Sequence, residues 1–279
     1  MKNKLKPKAG KSTSHATLQA ADLTDVRDTI RKDAYTGHTA GLAGGYLQAN
    51  LAIMQSEYAL DFFRFCQRNP TPCPLVGVTD AGSRFMTTLG LDLAIDTDAP
   101  AYCVYRDGVL IETPTNISNL WQSDMVAFAL GCSFTFENAL MNAGISMRHI
   151  EQNVTVPMYR TTIELVPAGP FSGGMVVSMR PIRETDLDQI TKITAQFPHA
   201  HGAPVHIGDP ATIGITDVSI PDWGNGVDIR EGEVPVFWAC GVTPQNAAIA
   251  AKLPLFISHR PGAMLITDVD ERANPPILK

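Results

Sequence analysis

The 279-residue sequence predicts the α+β class, with mixed sheets and flanking helices in a single interlocked domain, or in two lobes that meet near residues 150–170. Hydrophobic residues make up 44% of the chain and charged residues 18%, which is typical of a compact globular protein. The first half mixes helical and strand patterns, whereas the second half is richer in strands. No fixed-period repeat, low-complexity tract or clear linker is evident beyond residue 20.

Residues 22–32 begin the folded pattern, with apolar residues at spacings of three and four that predict an amphipathic helix capped by Asp22 or Thr24. Residues 57–68 predict a second helix with a thick apolar face. Asn69-Pro70 ends it, because the residue before a proline is disfavoured in the helical conformation. An extended connector then leads into a short strand at residues 75–78.

A β-hairpin and a long helix are expected next. Asp107-Gly108 tolerates the positive φ angles of a tight turn, so residues 101–105 and 109–111 are predicted to pair as strands. A helix is predicted from Ser123 to Met141, with Gly131-Cys132-Ser133 interrupting it. A glycine in mid-helix costs about 1 kcal/mol relative to alanine, which indicates a packing or functional reason at this point.

The second half is predicted to contain two helices and five strands. The helices cover residues 185–196 and 243–252, the latter with Thr243 as its cap and Pro244 in its first turn. The strands cover residues 161–166, 174–179, 213–218, 234–238 and 263–266. Residues 197–210 contain two glycines and three prolines, so they can form neither a regular helix nor a central strand.

Composition excludes several classes of function. The formal net charge of -6 and the pI near 5.6 argue against nucleic-acid binding, which normally requires a basic surplus. No stretch approaches the ~20 consecutive apolar residues of a membrane span. The five cysteines form no CxxC pair and no zinc-binding spacing, which favours a reducing, cytoplasmic setting. The lysine-rich residues 1–20 are predicted to be a disordered tail, and residues 21–279 the functional domain.

The loop at residues 197–210 is the first candidate active site, because it holds His199, His201, His206 and Asp209. Imidazoles transfer protons near neutral pH, and a carboxylate can orient them. We expect His206 to act as the base, with His201 or Asp209 as the acid or the orienting partner. A divalent metal held by the histidines and a purely structural loop are the alternatives, so no cofactor is firmly implied.

The turn at Cys240-Gly241 is the second candidate. A helix is predicted to begin at Thr243, so free amide groups and the helix dipole converge near Cys240. Such a geometry binds carboxylates and favours the thiolate form of a cysteine. The alternative is that Cys240 is only a small buried apolar group at the end of a strand.

Arg160 and Arg180 form the third candidate site. They lie at the start of one predicted strand and the end of the next, and two guanidinium groups suit a dicarboxylate ligand. His259 lies in a turn and is expected to be structural. The sequence lacks a Gly-x-Ser-x-Gly elbow, a His-Glu-x-x-His motif, a Walker motif and a kinase signature, which disfavours the common hydrolases and nucleotide-driven enzymes.

From about Thr36 to Asp268 the chain resembles the hydro-lyase family that includes the D-glutamate cyclase domain. The segments that carry the resemblance are residues 37–41, 45–46, 48–50, 65–70, 131–134, 156–161, 201–210 and 235–245. Gly44 stands where the family pattern has proline, and His199 and the lysine-rich tail lie outside the pattern. The resemblance implies carbon–oxygen lyase chemistry, and in its assigned branch the closure of D-glutamate to 5-oxo-D-proline with loss of water.

The resemblance and the residue patterns together define the candidate set. The catalytic candidates are His206, His201, Asp209 and Cys240. The candidates for substrate binding are Arg160, Arg180, Tyr159, His38, Gln48, Asn50, Gly241 and Thr243, and no metal ligand is assigned. The expected partner is a small carboxylate or amino-acid substrate, and the frequency of oligomers among such enzymes favours a homo-oligomer. A dehydratase of a small hydroxy acid and a non-catalytic dicarboxylate sensor are the alternative functions.

Overall fold

The computed structural model describes residues 13–274 and 276–278. Its helices are α1 (His15–Gln19), α2 (Leu23–Arg31), α3 (Ser56–Arg68), α4 (Phe134–Asn142), α5 (Arg148–Glu151), α6 (Leu187–Thr194) and α7 (Val242–Ala250). Its strands are β1 (Tyr46–Gln55), β2 (Leu75–Val78), β3 (Tyr102–Arg106), β4 (Val109–Glu112), β5 (Met125–Gly131), β6 (Met158–Glu164), β7 (Gly174–Arg183), β8 (His206–Ile207), β9 (Glu233–Ala239), β10 (Phe256–His259) and β11 (Leu265–Asp270). The mixture of sheets and helices confirms the predicted α+β class.

The larger sheet is organised around β1. Its strand order is β2-β5-β1-β10-β3-β4, and β11 pairs with the first part of β1 beside β10. Residues 47–54 of β1 are all buried, because apolar side chains cover both faces of this strand. Every residue of β5 is buried as well. The strands that lead into the candidate site therefore lie at the centre of this sheet.

The smaller sheet has the order β6-β7-β9-β8. Phe237 of its strand β9 and Phe128 of β5 belong to the same buried apolar cluster, so the two sheets face each other across the main core. Phe62 of α3 adds to this core with its ring 4.9 Å from that of Phe128. Among the described residues, no helix is long and apolar enough to cross a membrane.

Several local predictions are confirmed. The carboxylate of Asp22 accepts a hydrogen bond of 2.9 Å from the amide of Asp25 and caps α2. Asp107 and Gly108 have φ angles of 49° and 80°, as the predicted hairpin turn between β3 and β4 requires. Residues 197–210 form two single 3₁₀ turns and the two-residue edge strand β8, so they are neither a regular helix nor a central strand.

The long helix predicted from Ser123 to Met141 is wrong. Its first part is the central strand β5, and only its second part is helical, as α4. The apolar run of β5 lacks an alternating pattern because both of its faces are buried, and such a run cannot be distinguished from a buried helix by periodicity. Gly131-Cys132-Ser133 therefore lies at a turn from strand to helix and does not interrupt a helix.

Three further differences concern shorter elements. The strand predicted at residues 213–218 is wrong, because Gly214 at a φ angle of 83° ends a 3₁₀ turn there. Strands β1 and β10 extend over residues for which no strand was predicted. Residues 1–12 of the predicted tail lie outside the described residues, and His15–Gln19 forms α1, so the folded chain begins before residue 20.

Candidate active site

Two turns from strand to helix form the centre of the site. Cys132 follows β5 and precedes α4, and Cys240 follows β9 and precedes α7. The Cys132 sulfur is hydrogen-bonded to the backbone amide of Phe134, and the Cys240 sulfur to those of Val242 and Gly241. Both thiols thus lie at the positive end of a helix, where free amide groups can bind an anion.

The two thiols are buried but not sealed from solvent. Cys132 is 7% exposed and Cys240 is 8% exposed, and both belong to one apolar cluster with Met158 and Met264. Burial raises the pKa of Cys240 to about 11, although the Val242 amide and the Arg180 guanidinium oppose this rise. Burial likewise raises the pKa of Cys132. Both sulfurs therefore carry protons at neutral pH.

The guanidinium group of Arg180 lies beside these turns and is itself only 1% exposed. It donates to the carboxylate of Glu137 from Nε at 3.0 Å and also from Nη2. Its remaining bonds go to the hydroxyl oxygens of Ser178 and Ser133, each at 3.0 Å. The side chain that the sequence marked as a carboxylate binder therefore holds a carboxylate of the protein itself, on the first turn of α4.

Glu137 and His149 form a second contact within this cluster. The Nε2 atom of His149 lies 3.1 Å from Oε1 of Glu137, and each side chain is 1% exposed. Burial acts to raise the pKa of Glu137, but the nearby charges of His149 and Arg180 outweigh it and lower that pKa to about 2. Within the described part of the chain, Oε2 of Glu137 and Nε2 of His149 have no hydrogen-bond partner of good geometry. A charged buried group thus keeps unused hydrogen-bonding capacity.

Asn50 connects the two turns. Its Nδ2 donates to the carbonyl oxygen of Gly131 at 2.9 Å, just before Cys132. A Cβ atom placed on Gly241, just after Cys240, would lie 1.9 Å from the same nitrogen, so only glycine fits there. Thr243 lies two residues further along, where its Oγ1 accepts a hydrogen bond of 2.9 Å from the amide of Val176. The predicted residues Asn50, Gly241 and Thr243 therefore belong to one site.

His201 lies at the border of this site. Its ring is 2% exposed, and its Nδ1 atom lies 2.9 Å from the carbonyl oxygen of Thr71. Burial, together with the smaller effect of the Arg180 charge, lowers the pKa of His201 to about 4. A carbonyl only accepts hydrogen bonds, so Nδ1 carries the proton and Nε2 has a lone pair. That Nε2 atom is buried without a partner among residues 13–274 and 276–278.

The loop of His201 also reaches the first turn. A Cβ atom on Gly131 would lie 1.5 Å from the carbonyl oxygen of His199, so the backbones meet directly at this point. The imidazole of His199 points elsewhere, with its Nε2 2.9 Å from the side chain of Asn274. The beginning of the histidine loop therefore meets the turn at Cys132.

His206 and Asp209 lie at the other end of the loop. His206 pairs with Phe237, three residues before Cys240, which separates them by about 10 Å along β9. Its Nε2 atom lies 2.8 Å from the carbonyl oxygen of Asp209, next to the hydroxyl of Thr212. The exposed carboxylate of Asp209 accepts from the amide of Ala211 and caps a 3₁₀ turn. His206, the predicted base, and Asp209, its predicted acid or orienting partner, thus lie in a surface turn.

Arg160 and Tyr159 lie away from the two cysteine turns. The Arg160 side chain is 57% exposed and pairs with Asp222, while its guanidinium lies over the ring of Trp223. The hydroxyl of Tyr159 donates to the carbonyl oxygen of Val218 at 2.6 Å, and its ring packs in the core between the sheets. The structure therefore joins Arg180, but not Arg160, to the candidate site.

His38 and Gln48 lie around the glycine-rich stretch before β1. The ring centroid of His38 is 4.3 Å from that of His15, and its Nε2 lies 3.1 Å from Oδ1 of Asn153. Burial and the nearby His15 lower the pKa of His38. The side-chain Nε2 of Gln48 donates to the carbonyl oxygens of Thr39 and Leu42, both at 3.1 Å. Gln48 therefore holds the backbone of that stretch in place.

Sequence reasoning missed four side chains of the site, namely Cys132, Ser133, Glu137 and His149. The Gly-Cys-Ser sequence could have revealed them, because it marks a turn at a helix N-terminus. Among the described residues, no group of three or more His, Cys, Asp or Glu side chains is arranged to hold a metal ion. The predicted His259 is buried, and its Nδ1 accepts hydrogen bonds from the amide of Leu51 and the side chain of Gln245.

Comparison with known proteins places this chain in a family. The family model described as D-glutamate cyclase matches residues 126–268. A protein of Dinoroseobacter shibae named "Putative hydro-lyase" is 59% identical over 95% of this chain and 88% of its own length. A Jannaschia protein of the same name is 58% identical over 92% of this chain and 97% of its own. A third, from Ruegeria pomeroyi, is 56% identical over 96% and 98% of the two chains.

Solved structures add little to this comparison. A nitrogen repressor-like protein from Methanococcus jannaschii matches 87% of this chain and 96% of its own at 9% identity, with a TM-score of 0.38, which is too low to carry an argument. The close relatives and the family model agree with each other. The chain belongs to the D-glutamate cyclase family.

Proposed function

We propose that this protein is a hydro-lyase of small carboxylates, and that its reaction is the cyclisation of D-glutamate to 5-oxo-D-proline with loss of water. The observation that carries the proposal is the pair of helix N-termini at Cys132 and Cys240, set beside the buried cluster of Arg180, Glu137 and His149. D-Glutamate has two carboxylates and one ammonium group, so it needs anion-binding groups together with groups that transfer protons.

The helix N-termini supply the anion-binding groups. The amides of Phe134 and Val242 now contact the two thiols, which are weak acceptors, so a carboxylate can replace a thiol as the better acceptor. A substrate held at both ends has its amine close to the distant carboxyl carbon. Such positioning of reacting atoms accounts for a large part of many enzymatic rate accelerations.

The chemical step needs one base and one acid. The ammonium group loses one proton, and the resulting amine attacks the carboxyl carbon. The nitrogen loses a second proton as the carbon–nitrogen bond forms, and a carboxylate oxygen takes up both protons and leaves as water when its carbon–oxygen bond breaks. The buried cluster contains the groups for these transfers, namely Glu137, His149, His201 and the protonated thiol of Cys240. Free amides at a helix N-terminus can also stabilise the oxyanion of a tetrahedral intermediate, and one such donor contributes about 3 kcal/mol in well-studied hydrolases.

The first experiment incubates the purified protein with D-glutamate and follows both the loss of primary amine and the appearance of 5-oxoproline. L-Glutamate tests the stereochemistry in parallel. Cys240→Ser should lower turnover about 100-fold if the thiol donates the proton. Cys103→Ser is the matched control, because Cys103 is an equally buried thiol on β3, and it should keep wild-type turnover. No amine loss with either enantiomer would reject the cyclase assignment.

Two other functions remain as outcomes of the same assays. The formation of an absorbing enoate from small hydroxy acids would identify a dehydratase, the type of reaction that the name hydro-lyase covers. Binding of a dicarboxylate by calorimetry without turnover would identify a sensor. The paired N-termini suit all three functions, whereas only the cyclase requires a group that accepts the proton of an amine.

The proposal includes the setting of the enzyme. The five free, buried cysteines suit the reducing cytoplasm, and the acidic chain suits a small substrate better than a nucleic acid or a membrane. We propose a homo-oligomer, which light scattering can test. The cyclisation consumes no nucleotide and transfers no electrons, so the proposal needs no cofactor, and metal analysis of protein purified without chelator tests this point.

A further inference from the structure

The two cysteine turns belong to a repeated unit. Residues 132–139 read Cys-Ser-Phe-Thr-Phe-Glu-Asn-Ala, and residues 240–247 read Cys-Gly-Val-Thr-Pro-Gln-Asn-Ala. The two segments share the cysteine, the threonine, the asparagine and the final alanine. One of the positions that differ is Glu137, which corresponds to Gln245, a residue of the same shape without the charge. The repeat escaped detection in the sequence because its two copies are short and far apart.

The backbone contacts of the two copies match atom by atom. The amide of Cys132 donates to the carbonyl oxygen of Gln48 at 3.0 Å, and the amide of Cys240 donates to that of Val176 at 3.0 Å. The amide of Gln48 donates to Oγ1 of Thr135 at 3.1 Å, and the amide of Val176 to that of Thr243 at 2.9 Å. Gln48 of β1 and Val176 of β7 therefore hold equivalent positions.

The strand pairing extends this equivalence. Ala49 pairs with Gly131 in the larger sheet as Val177 pairs with Ala239 in the smaller one. We call β1, β5 and α4 the first unit, and β7, β9 and α7 the second unit. The next long strand after α4 is β6, which pairs with the second unit, and β11 after α7 pairs with the first. This mutual exchange is what a two-fold relation between the units predicts.

The chemistry of the two units differs. In the first unit, Nε2 of His149 lies 3.1 Å from the ionised Glu137, which is also bound by Arg180. In the second unit, Nε2 of Gln245 lies 2.8 Å from Nδ1 of His259. The register equates Asn50 of β1 with Ser178 of β7. The residue of β1 that corresponds to Arg180 of β7 is therefore Ala52. At Gln245 there is therefore neither the carboxylate of Glu137 nor an equivalent of the Arg180 guanidinium on the facing strand.

The imidazole of His259 is fixed in its uncharged form. Its Nδ1 accepts from the amide of Leu51 at 3.0 Å and from the side chain of Gln245, so the ring proton is on Nε2. Burial lowers the pKa of His259 to about 3. Gln245 cannot take up a proton at all. In contrast to Glu137 and His149, this pair contains no carboxylate beside its imidazole.

The same difference affects the two helix N-termini. The first turn of α4 contains the carboxylate of Glu137, which already interacts with the positive end of its helix, whereas the first turn of α7 contains no acidic residue. The amides of Gly241 and Val242 thus have no competing carboxylate in their own unit. An anionic ligand meets less like-charge repulsion at α7 than at α4.

We propose that the two units have divided their functions, so that Glu137 and His149 of the first unit transfer the substrate's proton, while the uncharged Gln245 and His259 leave the N-terminus of α7 free to bind its carboxylate. The assignment rests on the proposed cyclase function for its proton step alone. His149 is the group that contacts the amine, and Glu137 is a positioning residue that acts through it. The substrate therefore binds with its amine toward α4 and its fixed carboxylate toward α7.

Exchanging Glu and Gln between the units tests the proton step. Glu137→Gln should lower kcat about 100-fold or more with little change in KM. Gln245→Glu should raise KM about tenfold or more, the effect expected of a like charge near the carboxylate. The double exchange should remain as slow as Glu137→Gln, because Arg180 and His149 contact residue 137 and would not follow the carboxylate to residue 245.

Two measurements work without turnover. Glutarate, a dicarboxylate without an amine, should raise the melting temperature of the wild type and of Glu137→Gln, but not of Gln245→Glu. If Gln245→Glu does not fold, Val242→Asp adds a carboxylate at the first residue of α7 and should likewise abolish the glutarate effect. By NMR, the His259 ring of the wild type should stay neutral down to pH 4, and Gln245→Glu should raise its pKa.

Three results would overturn the proposal. They are recovery of activity in the double exchange, equal loss of kcat in Gln245→Glu and Glu137→Gln, and protonation of His259 near neutral pH in the wild type. If the wild type does not consume D-glutamate, the cyclase function fails. The glutarate and NMR results then still decide whether the anion site lies in the second unit.

Discussion

Replacing Arg180 with methionine is expected to lower the free energy of unfolding by about 3 to 5 kcal/mol, the usual effect of breaking a buried ion pair. Methionine keeps most of the length and the apolar part of the side chain. Glu137, which is 1% exposed, would lose its charged donor. The hydroxyl oxygens of Ser133 and Ser178 would lose hydrogen bonds of 3.0 Å. The substitution therefore leaves one buried carboxylate with only His149 near it.

The pKa of Glu137 gives an independent magnitude. Burial raises it, but His149 and Arg180 outweigh burial and lower it from 4.5 to about 2. A carboxyl whose pKa is lower in the folded than in the unfolded protein adds stability above its unfolded pKa. That stability is lost as the pH falls from about 4.5 to about 2. The difference between these two values corresponds to about 3 kcal/mol for burial, His149 and Arg180 together, which is of the same order as the range above.

Urea unfolding at pH 7, followed by circular dichroism and tryptophan fluorescence, measures this effect. The wild type, Arg180→Met and the double variant Arg180→Met/Glu137→Leu should be compared. The double variant should recover most of the lost stability, because it removes the carboxylate that the single variant leaves without a guanidinium. If the single variant stays within 1 kcal/mol of the wild type, or the double variant is no more stable than the single, the reasoning is refuted.

Three other predictions concern the same region. Gly241→Ala should lower the melting temperature markedly, because its Cβ would lie 1.9 Å from Nδ2 of Asn50, and Asn50→Ala added to it should restore part of the loss in thermal unfolding. His201 is neutral in the fold because its pKa is lowered from 6.5 to about 4, so its stabilising effect is lost as the pH falls from 6.5 to 4. His201→Asn, which tolerates the φ angle of 78° at this position, should reduce this pH-dependent loss by about 3 kcal/mol in urea unfolding at the two pH values. Cys240 should react with iodoacetamide about 100-fold more slowly at pH 8 than in the denatured chain, as peptide mass spectrometry can measure, since its pKa is raised from 9.0 to about 11. Equal rates would show that the thiol is not held as described.

Local sequence patterns predicted the parts of this fold that depend on neighbouring residues. The cap at Asp22, the turn at Asp107-Gly108 and the helix after Cys240 each depend on a few adjacent side chains, and all three are present. The strand β5 was not predicted, because an apolar run buried on both faces has no alternation to reveal it. Because β5 was not predicted, the helix N-terminus at Cys132 was not recognised either.

The candidate site was predicted in part for a similar reason. Cys240, Gly241 and Thr243 are adjacent in sequence, and the motif of a strand, a turn and a helix is readable from that stretch alone. The contact of Glu137 with Arg180 joins residues 43 positions apart and depends on how β7 lies against α4. His206 and His201 look equivalent in the sequence, but the first is partly exposed beside Asp209 and the second is buried beside Thr71. Only the packing distinguishes them.

The exchange of strands between the two units limits how this protein can be divided. The stretch that matches the family model, residues 126–268, contains β10 and most of β5 and β11 but lacks β1, the strand with which all three of them pair. A chain cut to that stretch would expose the hydrogen-bonding edges of three strands, and such edges promote aggregation. The boundaries of the recognisable sequence are therefore not the boundaries of a piece that can fold, and the smallest active fragment has to extend back at least to Tyr46.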